Sequence, residues 1–361
     1  MSVGTRIWRT YVNRSMSLLG LICFLLLSAP ADSAQSGESQ SIRVDGVIRE
    51  FAMSPDGRWL CVIAKNKQVL LWDTRTRSSI VLTSTGKHFW GGFSPDSTRL
   101  GIFAGGNTHA VWQLRVAGDW ARCPEFERFQ MPGIIRQRES AVFVPNSTEC
   151  IALTTFEEPN AEPEFHFEYR GYRCDCRNRK CEPLGIEPLY DYVIDLSISP
   201  NGRTLAISRT ENIEVFDLAT ARVLSEQRSW LAKLAFSPDS KLLAAVLWIE
   251  PTDDRPNRGE ISVCKVENGV RVVEVDLGPQ HAQSTVFSSD GRRLVFADAS
   301  QAIFVLPIRT GARPVSVSQD RRVDAVQRLD DQRFIAFQQE AGTLTWWDAT
   351  SSLIAAKTAT Q

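Results

Sequence analysis

Phe51-Ala52-Met53-Ser54-Pro55-Asp56-Gly57 is a phrase that recurs, with small changes, along the whole chain. Four further clear copies are Phe93-Ser94-Pro95-Asp96-Ser97, Ile198-Ser199-Pro200-Asn201-Gly202, Phe236-Ser237-Pro238-Asp239-Ser240 and Phe287-Ser288-Ser289-Asp290-Gly291. Two weaker copies are Phe143-Val144-Pro145-Asn146-Ser147 and Leu329-Asp330-Asp331-Gln332. A repeat at a nearly fixed period is the signature of a repeat architecture, so seven copies predict seven similar structural units.

Each phrase reads as a turn between two β-strands. Proline presets one backbone dihedral of the turn, and Asp or Asn followed by Gly closes it. An apolar, β-rich segment follows every copy, for example Leu242-Leu243-Ala244-Ala245-Val246. A third strand then ends on a large residue 17 or 18 positions after the serine position, as at Trp72, Trp112, Phe216, Leu306 and Trp347. This regular spacing predicts a common three-stranded core in each repeat.

A fourth, more variable strand completes each unit. Candidates for it lie at 80–83, 126–130, 222–226, 272–276 and 315–318. Four antiparallel strands in each of seven repeats, spaced by about 46 residues, predict an all-β fold, a seven-bladed β-propeller. A closed ring needs an outer strand for its last blade, and both 41–45 and 352–356 are candidates for that strand.

The repeats resemble those of the WD-repeat β-propeller family over essentially the whole chain after the N-terminal segment. The Trp-Asp pairs Trp72-Asp73 and Trp347-Asp348 and the Ser-Pro-Asp-Gly turns carry this resemblance. The Gly-His element that often opens such repeats is missing, although His88 and His281 stand near the expected places. The resemblance implies a propeller that acts as a binding platform, and in this family the N-terminal strand often closes the ring.

The first 31 residues have the layout of a secretory signal peptide. Arg6, Arg9 and Arg14 form a basic region, 18–27 is an uncharged apolar run, and Ala29-Pro30-Ala31 supplies a small-x-small cleavage pattern. The apolar run is short for a bilayer span, which needs about 20 residues. We therefore predict a signal peptide at 1–31, a flexible leader at 32–41 and the propeller at 42–361. The expected location is periplasmic or extracellular, with no stable membrane insertion after cleavage; an uncleaved anchor is the alternative.

Charge and motif content argue against several function classes. The chain has 41 Lys plus Arg against 42 Asp plus Glu and no long basic block, so nucleic acid is not an expected partner. Nucleophile-elbow, dinucleotide-binding and phosphate-loop motifs are missing, so we expect no enzyme activity and no cofactor. The alternative is a propeller enzyme or small-molecule binder that uses the axial channel, with Glu50, Asp195 and Lys233 as channel groups.

A binding surface is predicted on the face opposite the Ser-Pro-Asp turns. Antiparallel strands place alternate connections on opposite faces, and the charged insertions at 157–164 and 250–259 both fall on this one. Aromatic residues and Arg are enriched at interface hot spots. The expected partner is an unidentified protein or peptide, bound by a monomeric chain. Candidate binding residues on this face are Glu50, His88, Trp90, Arg138, Tyr192, Asp195, Trp230, Lys233 and Arg322. In the alternative interpretation the insertions are tolerated drift and the aromatic side chains pack between blades.

Cysteines cluster in the third repeat. Cys181 could form a disulfide with Cys174 or with Cys176 across a turn, and Cys150 on the neighbouring strand could form another, since exported proteins keep disulfides. A zinc site is a weaker hypothesis because the usual Cys-x-x-Cys spacing is missing, so we expect no metal. Cys61 and Cys264 lie inside strands of different repeats and are interpreted as small core residues.

Overall fold

A computed structural model describes residues 39–43, 47–64, 68–83, 88–104, 109–114, 120–122, 141–147, 149–156, 168–175, 178, 180–228, 231–249, 258–278, 282–298, 300–317, 322–328, 333–340 and 343–348. These residues form seven four-stranded antiparallel sheets. The sheets are the blades of a β-propeller, so the predicted all-β fold class is confirmed.

The strands follow the predicted order within every blade. Blade 1 contains β2 (Ile48–Met53), β3 (Trp59–Ala64), β4 (Val69–Asp73) and β5 (Ser78–Thr83). Blade 2 contains β6 (His88–Phe93), β7 (Arg99–Ala104), β8 (His109–Leu114) and β9 (Trp120–Arg122). Blade 3 contains β10 (Ala141–Phe143), β11 (Glu149–Phe156), β12 (Glu168–Asp175) and β13 (Lys180–Pro183). Blade 4 contains β14 (Val193–Ile198), β15 (Thr204–Arg209), β16 (Asn212–Asp217) and β17 (Val223–Arg228).

The remaining blades repeat this plan. Blade 5 contains β18 (Lys233–Phe236), β19 (Leu242–Ile249), β20 (Arg258–Lys265) and β21 (Arg271–Gly278). Blade 6 contains β22 (Ala282–Phe287), β23 (Arg293–Asp298), β24 (Ile303–Pro307) and β25 (Val315–Val317). Blade 7 contains β26 (Ala325–Arg328), β27 (Phe334–Glu340), β28 (Thr343–Asp348) and, as its outer strand, β1 (Gln40–Arg43). The first strands of successive blades lie side by side around the axis.

The hydrophobic core lies between blades rather than inside any one of them. Middle strands such as β3 are buried along their whole length, because both of their faces meet a neighbouring blade. Ala244 and Ile261 of blade 5 pack with Leu294 and Phe296 of blade 6 in one continuous cluster. Outer strands are more exposed, as in β17, where Ser225 is the one buried residue. Each blade is therefore stabilised by its neighbours, as expected for a repeat protein.

The N-terminal strand closes the ring. β1 pairs antiparallel with β28, with Ile42 opposite Leu344. The Gln327 side-chain amide of blade 7 donates a hydrogen bond to the Met53 carbonyl of blade 1, 2.9 Å away. Of the two candidates for the closing strand, the N-terminal one is correct, and it begins at Gln40; 352–356 lies outside the described residues.

The fourth strands lie where the sequence predicted them in blades 1, 4, 5 and 6, but not in blade 2. Its outer strand is β9, earlier than 126–130, a stretch outside the described residues. The reason is the burial of Trp120, which is only 8% exposed. Its ring meets Trp59 edge-on at a centroid distance of 5.5 Å and also contacts Phe93. The packing of Trp120 against aromatic rings of blades 1 and 2 thus determines which segment forms the outer strand of blade 2.

All seven connections between the first and second strands have the same length. They span 54–58, 94–98, 144–148, 199–203, 237–241, 288–292 and 329–333. In blade 1 the Ser54 hydroxyl donates to Asp56 Oδ1 (2.5 Å) and accepts the Trp59 N–H (2.9 Å), while Asp56 Oδ1 also accepts the Arg58 N–H. The corresponding residues of blades 2, 4, 5 and 6 form the same bonds.

A left-handed backbone conformation is part of this turn. Gly57, Gly202 and Gly291 occupy it in blades 1, 4 and 6, and Ser97 and Ser240 occupy it in blades 2 and 5. Positive φ costs an L-residue about 1–2 kcal/mol. The two serines offset this cost, because Ser97 Oγ accepts the Asp56 N–H and Ser240 Oγ accepts the Asn201 N–H of the preceding blade. We call the surface formed by these seven connections the turn face.

Candidate functional site

The opposite side of the ring, which we call the variable face, carries connections of very different lengths. Between second and third strands the connection is 210–211 in blade 4 and 341–342 in blade 7, but 157–167 in blade 3 and 250–257 in blade 5. The insertion predicted at 157–164 falls within the first of these long connections, outside the described residues. Of the insertion predicted at 250–259, only 250–257 lies in the connection and outside the described residues, because Arg258 and Gly259 are the first two residues of β20. The second-to-third-strand connections of the variable face therefore differ in length from blade to blade, whereas the first-to-second-strand connections of the turn face do not.

A bulge marks the innermost strand of several blades at the edge of the variable face. The register between first and second strands shifts just before Glu50, Trp90, Asp195 and Ser284. A bulge bends a strand and redirects the following side chain. All four of these residues stand four positions before the serine position of their repeat. The bulge therefore recurs at one position of the repeat, which the sequence pattern did not reveal.

Asp195 and Lys233, two predicted binding residues, connect blades 4 and 5. Asp195 Oδ2 accepts the Leu234 N–H at 2.8 Å. Lys233 Nζ donates to the Ile194 carbonyl at 3.1 Å and lies 4.0 Å from Asp195 Oδ1. The Lys233 side chain is 43% exposed, so its contact with Asp195 is a weak, screened ion pair. The structure thus brings these two residues together, in bonds between neighbouring blades.

Ser284 forms an equivalent connection between blades 6 and 7. Its hydroxyl accepts the Val326 N–H at 3.1 Å and donates to the Val326 carbonyl at 2.9 Å. Leu234 and Val326 are equivalent in their repeats. Each lies three positions before the serine position of its own blade. A side chain that follows a bulge therefore ties its blade to the next, and we call this contact the inter-blade tie.

Arg322 belongs to a polar network at the blade 6–blade 7 junction. Its guanidinium Nε donates to Gln301 Oε1, and Gln301 Nε2 donates to Asp324 Oδ1 at 2.7 Å. Asp324 Oδ2 accepts the Gln339 N–H at 2.7 Å. The Arg322 side chain is exposed on the variable face. Sequence reasoning missed Gln301, Asp324 and Gln339, because contacts between residues of different repeats leave no local pattern.

The other candidates occupy different environments. Glu50 is 7% exposed. The pKa of the Cys61 thiol lies far above its ordinary value, chiefly because the thiol is buried and also because of the negative charge of Glu50. Tyr192 is partly buried just before β14, and burial raises the pKa of its phenol, with Asp191 adding to the effect. His88 and Trp90 lie on β6, and nothing further is described of their side chains. Arg138 and Trp230 lie outside the described residues.

Tyr190 is an aromatic residue on the variable face that the sequence analysis did not select. It lies in the connection from β13 to β14, and it is 62% exposed. The chain around it is ordered by Leu189, which is buried and exchanges two backbone hydrogen bonds with Tyr169. A rigid backbone that presents an exposed tyrosine is typical of an interface anchor. Its neighbour Tyr192 looked equivalent in sequence, and only burial distinguishes the two.

One of the predicted disulfide pairings is present. Cys174 on β12 and Cys181 on β13 are bridged, with their Cα atoms 4.1 Å apart. Cys150 is buried and retains its thiol, and Cys176 lies outside the described residues. Cys61 and Cys264 are buried core residues, as expected. Burial also raises the pKa of the Cys264 thiol.

The described residues contain neither a metal-ligand cluster nor a helix that could span a membrane. Within the ranges given above, no three His, Cys, Asp or Glu side chains are grouped so as to hold a metal ion. Across the same ranges, no helix has the length and apolar character needed to cross a bilayer.

Comparison with known proteins shows the fold. No protein-family model matches the chain, and no curated protein sequence matches it. The β-propeller domain of Cps50 (Swd1) from Myceliophteria thermophila is similar in structure, with a TM-score of 0.58 and 12% identity over 82% of this chain and 95% of that one. A chain of the mitotic checkpoint complex gives a TM-score of 0.60 and 15% identity over 91% and 98%. These similarities support the β-propeller fold of the chain.

Proposed function

We propose that this chain is an exported, non-catalytic propeller that binds a protein or peptide through the variable face. The observation that carries the proposal is the contrast between seven turns of one length on the turn face and connections of very different lengths on the other. Loops held on a rigid scaffold are the usual place for recognition, because their lengths and sequences can vary without cost to the core.

Specific residues of the variable face support a protein or peptide as the partner. Tyr190 and Arg322 are both exposed there, and both residue types are enriched at interface hot spots. Both are also held by their surroundings, since Arg322 bonds Gln301 and the backbone beside Tyr190 is paired through Leu189. A bonded Arg322 side chain and a paired backbone beside Tyr190 lose little freedom on binding, and this favours affinity.

Engagement of Asp195 and Lys233 in the inter-blade tie argues against the alternative of an axial catalytic site. Both side chains are used to join blades 4 and 5. Non-catalytic binding therefore accounts better for these residues. Export is supported by the signal-peptide pattern at 1–31, and the disulfide Cys174–Cys181 is consistent with an oxidising compartment.

The experiment that tests the proposal is expression of the full-length chain, fractionation of the cells to locate it, and affinity capture after cross-linking. Three versions are compared: the wild type, a variant with the loop segments 157–164 and 250–257 shortened that also carries Tyr190→Ala, and Lys241→Ala on the turn face as the control. We expect a protein captured by the wild type and the control to be lost from the variable-face variant. Equal capture by all three versions would refute the proposed surface, and a chain retained in the cytoplasm would refute export.

A further inference from the structure

Three cysteines stand in one row across blade 3. Cys150 on β11 is the register partner of Cys174 on β12, and Cys174 is in turn the register partner of Cys181 on β13. Register partners project from the same face of a sheet, with Cβ atoms about 4.5–5.5 Å apart. The buried Cys174 therefore has a bridged cysteine on one side and a cysteine thiol on the other.

Backbone hydrogen bonds identify the type of each pair. The Cα separation of 4.1 Å between Cys174 and Cys181 is that of a pair without mutual backbone hydrogen bonds. The N–H and C=O of Cys174 consequently point towards β11. The Leu184 N–H bonds the Gly171 carbonyl, and the Val144 N–H bonds the Glu149 carbonyl. Successive residues of a strand direct their backbone groups to opposite neighbours. Counting three residues from Gly171 to Cys174, and one residue from Glu149 to Cys150, therefore gives the same result.

Cys150 and Cys174 are thus a hydrogen-bonded pair, for which the Cα separation is about 5.5 Å. Disulfides usually join Cα atoms 4.4–6.8 Å apart, with a mode near 5.5–6 Å. The backbone therefore suits a Cys150–Cys174 bridge as well as the observed one. Because Cys150 lies on the side of Cys174 away from Cys181, its sulfur can approach in line with the existing bond.

We propose that Cys150, Cys174 and Cys181 form a thiol–disulfide exchange site, in which the bridge passes from Cys174–Cys181 to Cys150–Cys174 and leaves Cys181 open to modification by small disulfides. The Cys150 thiol loses its proton to solvent, and the thiolate attacks Cys174 Sγ. The Cys174–Cys181 bond breaks with its electron pair on Cys181, which takes up a proton. One disulfide forms as one is lost, so the step needs no external oxidant or reductant.

Exposure makes Cys181 the reactive end of the row. It is partly exposed on the outer strand of the blade, whereas Cys150 and Cys174 are 4% and 0% exposed. Its released thiolate can attack a small disulfide, forming a mixed disulfide on Cys181 and expelling one thiol. The exchange would also free β13 from its covalent link to β12. From β13 the chain runs through Leu184, packed on Gly171, to the exposed Tyr190.

The first test traps the released thiol. The oxidised full-length protein is incubated with N-ethylmaleimide under native conditions and digested before Asp175, which separates Cys174 from Cys176 for mass spectrometry. We expect labelling of Cys181 together with a Cys150–Cys174 disulfide within the single fragment 119–174. In Cys150→Ser the labelling of Cys181 should fall at least about tenfold, because the internal nucleophile is gone. Cys264→Ser, which removes a buried thiol of blade 5, serves as the matched control and should behave as the wild type.

Labelling of Cys181 at the same rate in Cys150→Ser, or no labelling of Cys181 in the wild type, would overturn the proposal. A second variant keeps it testable if Cys150→Ser fails to fold. Cys181→Ser is treated with glutathione disulfide, and we expect a Cys150–Cys174 bridge to form. Mixed disulfides with glutathione alone, or unreacted Cys150 and Cys174, would show that the pair cannot bridge and would equally overturn the proposal.

Discussion

The two faces of the ring are built by different rules. On the turn face, the same serine, Asp or Asn side chain and backbone amides form the same short bonds in blades 1, 2, 4, 5 and 6. On the variable face, the tie between neighbouring blades uses a carboxylate in blade 4 and a hydroxyl in blade 6. First-to-second-strand connections on the turn face all have five residues, whereas second-to-third-strand connections on the variable face range from two to eleven residues.

This difference separates stability from recognition. The residues Ser54, Ser199 and Ser237 are wholly buried, and their hydroxyls accept backbone N–H groups of their own turns in blades 1, 4 and 5. The variable face contains structural ties as well as exposed side chains such as Tyr190 and Arg322. A residue on that face is consequently a binding candidate when its side chain stays exposed, as the side chain of Arg322 does although it also bonds Gln301 of blade 6.

The largest effect is expected from Ser237→Ala on the turn face. The substitution removes the hydroxyl that bonds Asp239 and leaves the Leu242 N–H without its side-chain acceptor. Loss of a buried bond of this kind costs about 1–3 kcal/mol of unfolding free energy. Ser300→Ala is the control on the variable face, where an exposed hydroxyl bonds Asp298, and it should cost at most about 0.5 kcal/mol. Urea unfolding measures both, and equal losses would break the comparison.

Asp195→Ala and Ser284→Ala test the inter-blade tie. Each removes the acceptor of a backbone N–H of the next blade, so each should lower the unfolding free energy by about 1 kcal/mol. Lys233→Ala should cost less, because its side chain is partly exposed and its ion pair is screened. Unchanged stability with a selective loss of the captured partner would instead make Asp195 a binding residue.

The smallest effect is a difference in pH dependence between the two faces. On the turn face, burial tends to raise the pKa of Asp96, but bonds from Ser94 and Thr98 and the charge of Arg99 outweigh it and hold the pKa below its ordinary value. Near the variable face, burial raises the pKa of Glu214, against the opposing charge of Arg209. A lowered folded pKa stabilises the protein above the unfolded value of about 3.9, and this contribution disappears as pH falls through the folded pKa.

The sign is opposite for Glu214. Its carboxyl is protonated more readily in the folded state, so stability rises as pH falls through the folded pKa towards the unfolded value of about 4.3. Asp96→Asn should therefore reduce the loss of unfolding free energy that the wild type shows as pH falls below about 4. Glu214→Gln should remove the gain in unfolding free energy that the wild type shows as pH falls towards about 4.3. Urea unfolding at a series of pH values measures both. Shifts of the same sign in the two variants would contradict the assignment.

The sequence by itself determined the features that depend on neighbouring residues. The Ser-Pro-Asp phrase specifies its turn through bonds within five or six residues, and its seven copies predict the blade count and three strands of every blade. Blade 6 keeps the turn with Ser289 in place of proline, because the bonds of Ser288 and Asp290 are sufficient. Hydrogen bonds between residues so close in the chain can be predicted from the sequence alone.

The tertiary structure alone decided the features that depend on distant residues. It made β1 rather than 352–356 the closing strand and placed the outer strand of blade 2 at β9, which begins with Trp120. It also joined Cys181 to Cys174. It also assigned Asp195 to the inter-blade tie and left Tyr190 exposed while burying part of Tyr192. Each of these outcomes depends on contact between residues of different strands or blades. Such contacts are set by packing and register, which no local sequence pattern encodes.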